Sequence, residues 1–149
     1  MTIKDHIFVS PVAGGICFFV TTDWMLSGLA IVASVLIDVD HVFDQVIEKR
    51  RLISLFQMIK NYESRKVKKI YLFLHSIEIL LLLLIVTGPD SLVGAVIIGF
   101  LFHISCDIYE WVWKRRIVSP FSYFIVYRLY HSFDLDKLLT PIARAKIAK

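Results

Sequence analysis

Four apolar runs without a single lysine or arginine divide the chain, at residues 7–22, 24–39, 70–87 and 92–113. Each is close to the roughly 20 residues that a helix needs to cross about 30 Å of hydrocarbon. The polar punctuation between them is uneven. Thr21-Thr22-Asp23 and Gly88-Pro89-Asp90-Ser91 are tight turns. The connection 44–69 is long and basic. The pattern predicts an all-α membrane protein of four transmembrane helices, at about 7–22, 24–41, 70–87 and 92–113, arranged as two hairpins in a single domain spanning 1–149. Within the long connection, Ile47, Leu52, Ile53, Leu55, Phe56, Met58 and Ile59 recur at helical spacing, with basic residues opposite. This predicts an amphipathic helix over 46–62 lying along a membrane surface. A second interfacial helix is expected at about 121–133, followed by a basic tail, 134–149.

Composition supports the lipid reading. The 149 residues are 57% hydrophobic and only 20% charged, with a mean hydropathy of +0.68. A soluble domain of this size carries more polar surface. The formal charge is +4, and none of the 17 basic residues lies in the two short turns. The positive-inside bias then places both termini and the long connection in the cytoplasm, in a multi-pass inner (cytoplasmic) membrane protein. Basic residues flanking lipid-length runs point to membrane lipid as partner and not to nucleic acid. Cys17 and Cys106 lie within apolar runs and read as buried free thiols. Met1–Asp5 does not read as a signal peptide.

Ionisable side chains inside such helices cost several kcal/mol unless they have a partner or a role. Here they gather. His6 opens the first helix. Asp38, Asp40 and His41 end the second. His75 and Glu78 lie near the start of the third. His103 and Asp107 lie about 15 and 9 Å from the end of the fourth. All fall in the cytoplasmic half of one small bundle. His103 and Asp107, at i, i+4, share a helix face that Glu110 extends, and His75 and Glu78, at i, i+3, share another. Ligands one turn apart, contributed by several helices, are how bundles build metal sites. Imidazole with carboxylate suits Zn, with Mn or Fe as alternatives, better than Ca or Mg. The expected metal ligands are His6, Asp38, His41, His75, His103 and Asp107, with Asp40 or Glu78 as general base or outer partner.

At these residues the sequence resembles the YdjM-like family of inner-membrane, metal-dependent hydrolases. The stretches that carry the resemblance are Leu36-Ile37-Asp38-Val39-Asp40-His41, Leu74-His75-Ser76, Phe102-His103-Ile104-Ser105-Cys106-Asp107 and Ser119-Pro120-Phe121-Ser122, with His6 near the N-terminus. Ile37 stands where the family has proline, and Ile70-Tyr71 where it often has His-Arg. The family is similar to zinc-dependent phospholipase C and the single-strand nucleases of that fold. The resemblance therefore implies hydrolysis of a phosphoester, by analogy of fold. A lipid or lipid-linked phosphate at the cytoplasmic leaflet is the expected substrate. Two alternatives stand beside it: a non-catalytic membrane protein with a structural metal or polar site, and a metal or proton transporter. The scarcity of polar residues in the outer halves of the helices weighs against transport.

Overall fold

The computed structural model describes residues 3–50 and 67–147. These form helices and turns, with two isolated bridges and no strand among the described residues. Helix α1 spans Ile3–Thr21 and α2 spans Trp24–Leu36. The turn between them works as expected. Asp23 caps α2, accepting from the Met25 and Leu26 amides at 2.7 and 3.1 Å, which satisfies two donors that a helix start leaves unpaired. A second hairpin joins α4 (Ile77–Thr87) to α5 (Leu92–Asp107) through Gly88–Ser91. Gly88 takes the left-handed φ of 75° and Ser91 caps α5 through the Gly94 amide at 2.8 Å.

Small residues set the packing. Ser27, Ala30, Ala33 and Ser34 form the buried stripe of α2, and Gly99 of α5 lies against it. A Cβ on Gly99 would meet the Ala33 methyl and the Ser34 amide nitrogen at 3.0 Å and the Ala30 carbonyl oxygen closer still. The two backbones therefore approach as small-residue helix pairs do in membranes. Helix α1 packs along α2 and also touches α5, while α4 packs on α5. Gly99→Ala is expected to push α5 off α2 and cost about 1–3 kcal/mol. Thermal unfolding in detergent reads this directly, and an unchanged midpoint would refute the close approach.

Two stretches, Trp24–Lys49 and Leu92–Lys114, are long and apolar enough to cross a membrane, and Asp5–Thr21 and Ile77–Thr87 are shorter apolar helices. The expectation of four full-length spans is thus met at two. Outward faces are nonetheless apolar: Phe8, Phe19, Trp24, Leu82, Ile85 and Val86 are all exposed.

The helices depart from expectation in three places besides the π-helical segment that follows α5. First, the second helix does not stop near residue 41. It tightens into a 3-10 turn at Ile37–Val39 and continues as α3, Asp40–Lys49, ending with Arg50 in the left-handed region. Most of the expected amphipathic helix, residues 51–62, lies outside the described residues. Second, the third helix starts at Ile77, not at 70. The amides of Tyr71, Leu72 and Leu74 donate to the carboxylates of Asp44 and Asp40 at 2.8–3.0 Å. Side-chain capture of these amides competes with helical bonding, so 70–76 runs irregularly, with Leu72 left-handed and a 3-10 turn at Phe73–His75. At 11 residues, α4 is about 17 Å long, short of the hydrocarbon thickness. Third, 121–133 is not one helix. Ser119 and Pro120 open a 3-10 turn, Pro120–Tyr123, then extended Phe124 breaks the chain before α6, Ile125–Tyr130. The tail forms α7 (Leu135–Leu138) and α8 (Pro141–Ile147). It docks back through Ile70 N–H to the Phe133 carbonyl and Leu135 N–H to the Lys68 carbonyl, both at 2.9 Å.

Candidate metal centre

The start of α1, the junction of α2 and α3, the irregular run before α4 and the end of α5 meet at the end of the bundle opposite the two tight turns. Each brings a histidine. His6, His75 and His103 are buried, and His75 and His103 are each 1% exposed. His41 and Asp38 are about a quarter exposed, at 23% and 24% of their side chains, and form the open side. The 3-10 turn matters here. Residues three apart eclipse one another in that geometry, so Asp38 and His41 both face the cluster, with His41 Nε2 3.8 Å from Asp38 Oδ1.

Two imidazoles are held by one nitrogen and present the other. His103 Nδ1 is 2.8 Å from the Ser34 carbonyl oxygen, which makes Nδ1 the protonated nitrogen because a carbonyl only accepts. His75 Nδ1 is 3.2 Å from Asp40 Oδ2, and Asp40 is itself held by the Leu74 amide at 2.8 Å. The remaining atoms, Nε2 of His75 and Nε2 of His103, are buried without a hydrogen-bond partner. A histidine fixed at one nitrogen by a carboxylate or carbonyl, with the other left bare, is the arrangement of a metal-bound imidazole.

The spacings agree. His6 Nε2 is 3.3 Å from Asp107 Oδ1, and His103 Nε2 is 3.4 Å from Asp38 Oδ1 and 3.5 Å from Asp107 Oδ2. These are long for N–H···O hydrogen bonds. Donors at about 2.1 Å from one ion at tetrahedral angles stand about 3.4 Å apart. Three overlapping groups can hold a metal ion: His6 with Asp38 and His103, Asp38 with His41 and His75, and His75 with His103 and Asp107, the donor atoms of each lying within 4.8 Å of one another. The imidazoles of His6 and His103 stack at 3.9 Å, and His75 sets its ring edge-on to His103 at 5.5 Å.

All six expected ligands therefore come together. Asp40 stands behind His75 as its orienting partner. Glu78 and Glu110 are placed elsewhere. Glu78 Oε1 accepts the Val126 amide at 3.2 Å. Glu110 sits in a π-helical turn, Ile108–Lys114, that begins just after Asp107 and rotates it onto Lys114 Nζ and Arg115 Nε, at 3.1 and 2.6 Å. Single-turn π segments recur at functional sites.

Two residues beyond the expected set support the centre. Asp44 is buried and holds the Tyr71 and Leu72 amides. Its signal was present in the sequence, since it lies one helical turn after Asp40. Arg128 is 1% exposed and donates from Nη2 to Ser76 Oγ, beside His75. Its only signal is being the sole basic residue of an apolar stretch.

No family model, curated protein or solved structure matches the chain.

Proposed function

We propose that this chain is a membrane-embedded, metal-dependent hydrolase acting on a phosphoester of a lipid or lipid-linked substrate at the cytoplasmic leaflet. The observation that carries the metal is the pair of bare, buried Nε2 atoms of His75 and His103, each fixed through Nδ1 and each belonging to a group with aspartate oxygens at ligand spacing. The donor set of imidazole and carboxylate favours Zn, with Mn or Fe next. When bound, the ion supplies Lewis acidity and brings the pKa of water to about 7. The chain's own residues have distinct parts. His6, Asp38, His41, His75, His103 and Asp107 hold the ion or ions. Asp40 and the Ser34 carbonyl orient the two buried imidazoles. Asp38 and His41 form the side that a substrate can reach. The apolar outer faces and the two membrane-length stretches support embedding. The hydrolase reading also leans on the resemblance to the YdjM-like family.

The deep burial of His75 and His103 favours a second reading, a closed structural metal site. Elemental analysis of detergent-purified protein, followed by a screen of lipid phosphoesters, separates the two. Bound zinc with turnover above blank supports the hydrolase. Bound zinc without turnover of any phosphoester leaves the structural site, and no metal at all removes both.

Acid is expected to release the metal. Imidazole binds metal only when neutral, so protons compete with the ion. Affinity should fall as pH drops below the ordinary histidine range of about 6.5 and recover when neutrality is restored. Chelator competition across a pH series measures this, and a flat profile between neutrality and acid would exclude histidine ligation.

A further inference from the structure

A groove runs between α1 and α5 on the flank of the bundle. Its smaller stretch, about 260 Å³, is apolar, lined by Ile16 of α1 and by Ile98, Leu101 and Phe102 of α5. Its other stretch, about 590 Å³, runs past Val9, Cys106 and Tyr109 to Lys114 and Arg115. Ser105 lines both. On α5 and the first turn of the π segment after it these positions recur at three- and four-residue spacing, so they form one stripe, about 16 Å long from Ile98 to Tyr109. The groove is thus apolar at one end and charged at the other.

The charged end has the marks of a headgroup level. Lys114 and Arg115 each commit one donor to Glu110, out of three in lysine and five in arginine. Their side chains are 63% and 50% exposed. The Arg115 guanidinium lies over Trp111 at 5.0 Å, and Tyr109 and Trp113 are exposed beside it. Tyr and Trp with Lys and Arg at a helix end are the residues of a membrane–water boundary. This end also adjoins the metal centre. Asp5 lines it one residue before His6, and Cys106 lies one residue before Asp107.

We propose that this groove binds a glycerophospholipid, one acyl chain lying against Ile98, Leu101 and Phe102 and the phosphate on Lys114 and Arg115. Phosphate matches the donors that Lys114 and Arg115 keep beyond their bonds to Glu110, and an acyl chain matches the open apolar stretch beside them. That the bound lipid is also the substrate rests on the hydrolase reading. Its binding does not.

The test uses the full chain in vesicles containing a chain-spin-labelled phosphatidylglycerol or the matching spin-labelled diacylglycerol. The wild type should immobilise phosphatidylglycerol in preference to diacylglycerol. Ser105→Phe, which fills the groove where its two stretches join, should lower the immobilised fraction of both. Lys114→Gln with Arg115→Gln, which keep amide donors for the buried Glu110 carboxylate, should weaken phosphatidylglycerol by about fivefold per charge and leave diacylglycerol unaffected. Equal immobilisation of the two lipids by wild type overturns the proposal. So does a Lys114→Gln/Arg115→Gln variant with the wild-type preference, which also decides the matter should Ser105→Phe not fold. Zinc content and cleavage of bis(p-nitrophenyl) phosphate in the same samples report on the metal centre alone. Lipid preference without any cleavage retires the hydrolase reading and leaves the groove. Cleavage without lipid preference does the reverse.

Discussion

Replacing His103 with asparagine is expected to strip the protein of its metal while leaving the bundle folded. The two nitrogens of this imidazole have separate tasks. Nδ1 bonds the Ser34 carbonyl across the α2–α5 interface at 2.8 Å, and Nε2 faces Asp38 and Asp107. Asparagine places an amide donor close to where Nδ1 stood and has nothing at Nε2. The interhelical bond is therefore kept, worth about 1 kcal/mol, while one ligand shared by two of the three metal-binding groups is lost. Metal retained through purification should fall below detection, with helix content by circular dichroism unchanged. Asp107→Asn should act in the same direction, because Asp107 faces both His6 and His103 and its amide analogue is a weak ligand. His103→Ala removes both functions and should also lower the melting temperature. Stoichiometric zinc in purified His103→Asn would show that these imidazoles form a polar network with no ion.

The sequence revealed the meeting of these residues better than the paths that bring them there. His6, His41, His75 and His103 occupy the same end of four apolar runs, and antiparallel hairpins then force them to one level. That inference needs only run lengths and two short turns, both of which carry strong local signals in Asp23, Gly88 and Ser91. The irregular run 70–76 was not legible, because Ile70 to Thr87 reads as one apolar helix. What breaks it is remote: the carboxylates of Asp40 and Asp44 take three of its amides, a competition that periodicity does not register. The break changes the chemistry. It swings His75 away from the face it would share with Glu78 and turns it toward Asp40, so Glu78 lies apart from the three metal-binding groups. The π turn after Asp107 does the same to Glu110. The spacing rule of three or four residues held where the helix is regular, with His103 and Asp107 in one candidate metal-binding group. It over-counted where the helix changes pitch.

Replacing Arg128 with methionine is expected to destabilise the protein by about 1–3 kcal/mol, the cost of leaving buried polar partners without their donor. Helix α6 reads Ile-Val-Tyr-Arg-Leu-Tyr, and its arginine is among the most deeply buried side chains of the molecule. Burial pulls the Arg128 pKa below the ordinary arginine value, and the negative charges of Asp44, Asp40 and Glu78 push it back up. Burial is the larger of the two influences, so the net direction is downward. Methionine fills much of the volume but leaves Ser76 without its donor and removes a positive charge that acts on Asp44, Asp40 and Glu78. Arg128→Lys restores charge without the planar fork, so it should recover part of the stability. The metal centre should feel the change through Ser76, which Arg128 holds beside His75. Loss of such outer support typically lowers metal affinity by about 10–100-fold. Thermal unfolding with and without added zinc separates the two effects. A wild-type melting curve for Arg128→Met would mean that the segment after Pro120 is packed on the bundle by its apolar contacts alone. A lowered curve with undiminished zinc affinity would confine Arg128 to stability and detach it from the metal centre.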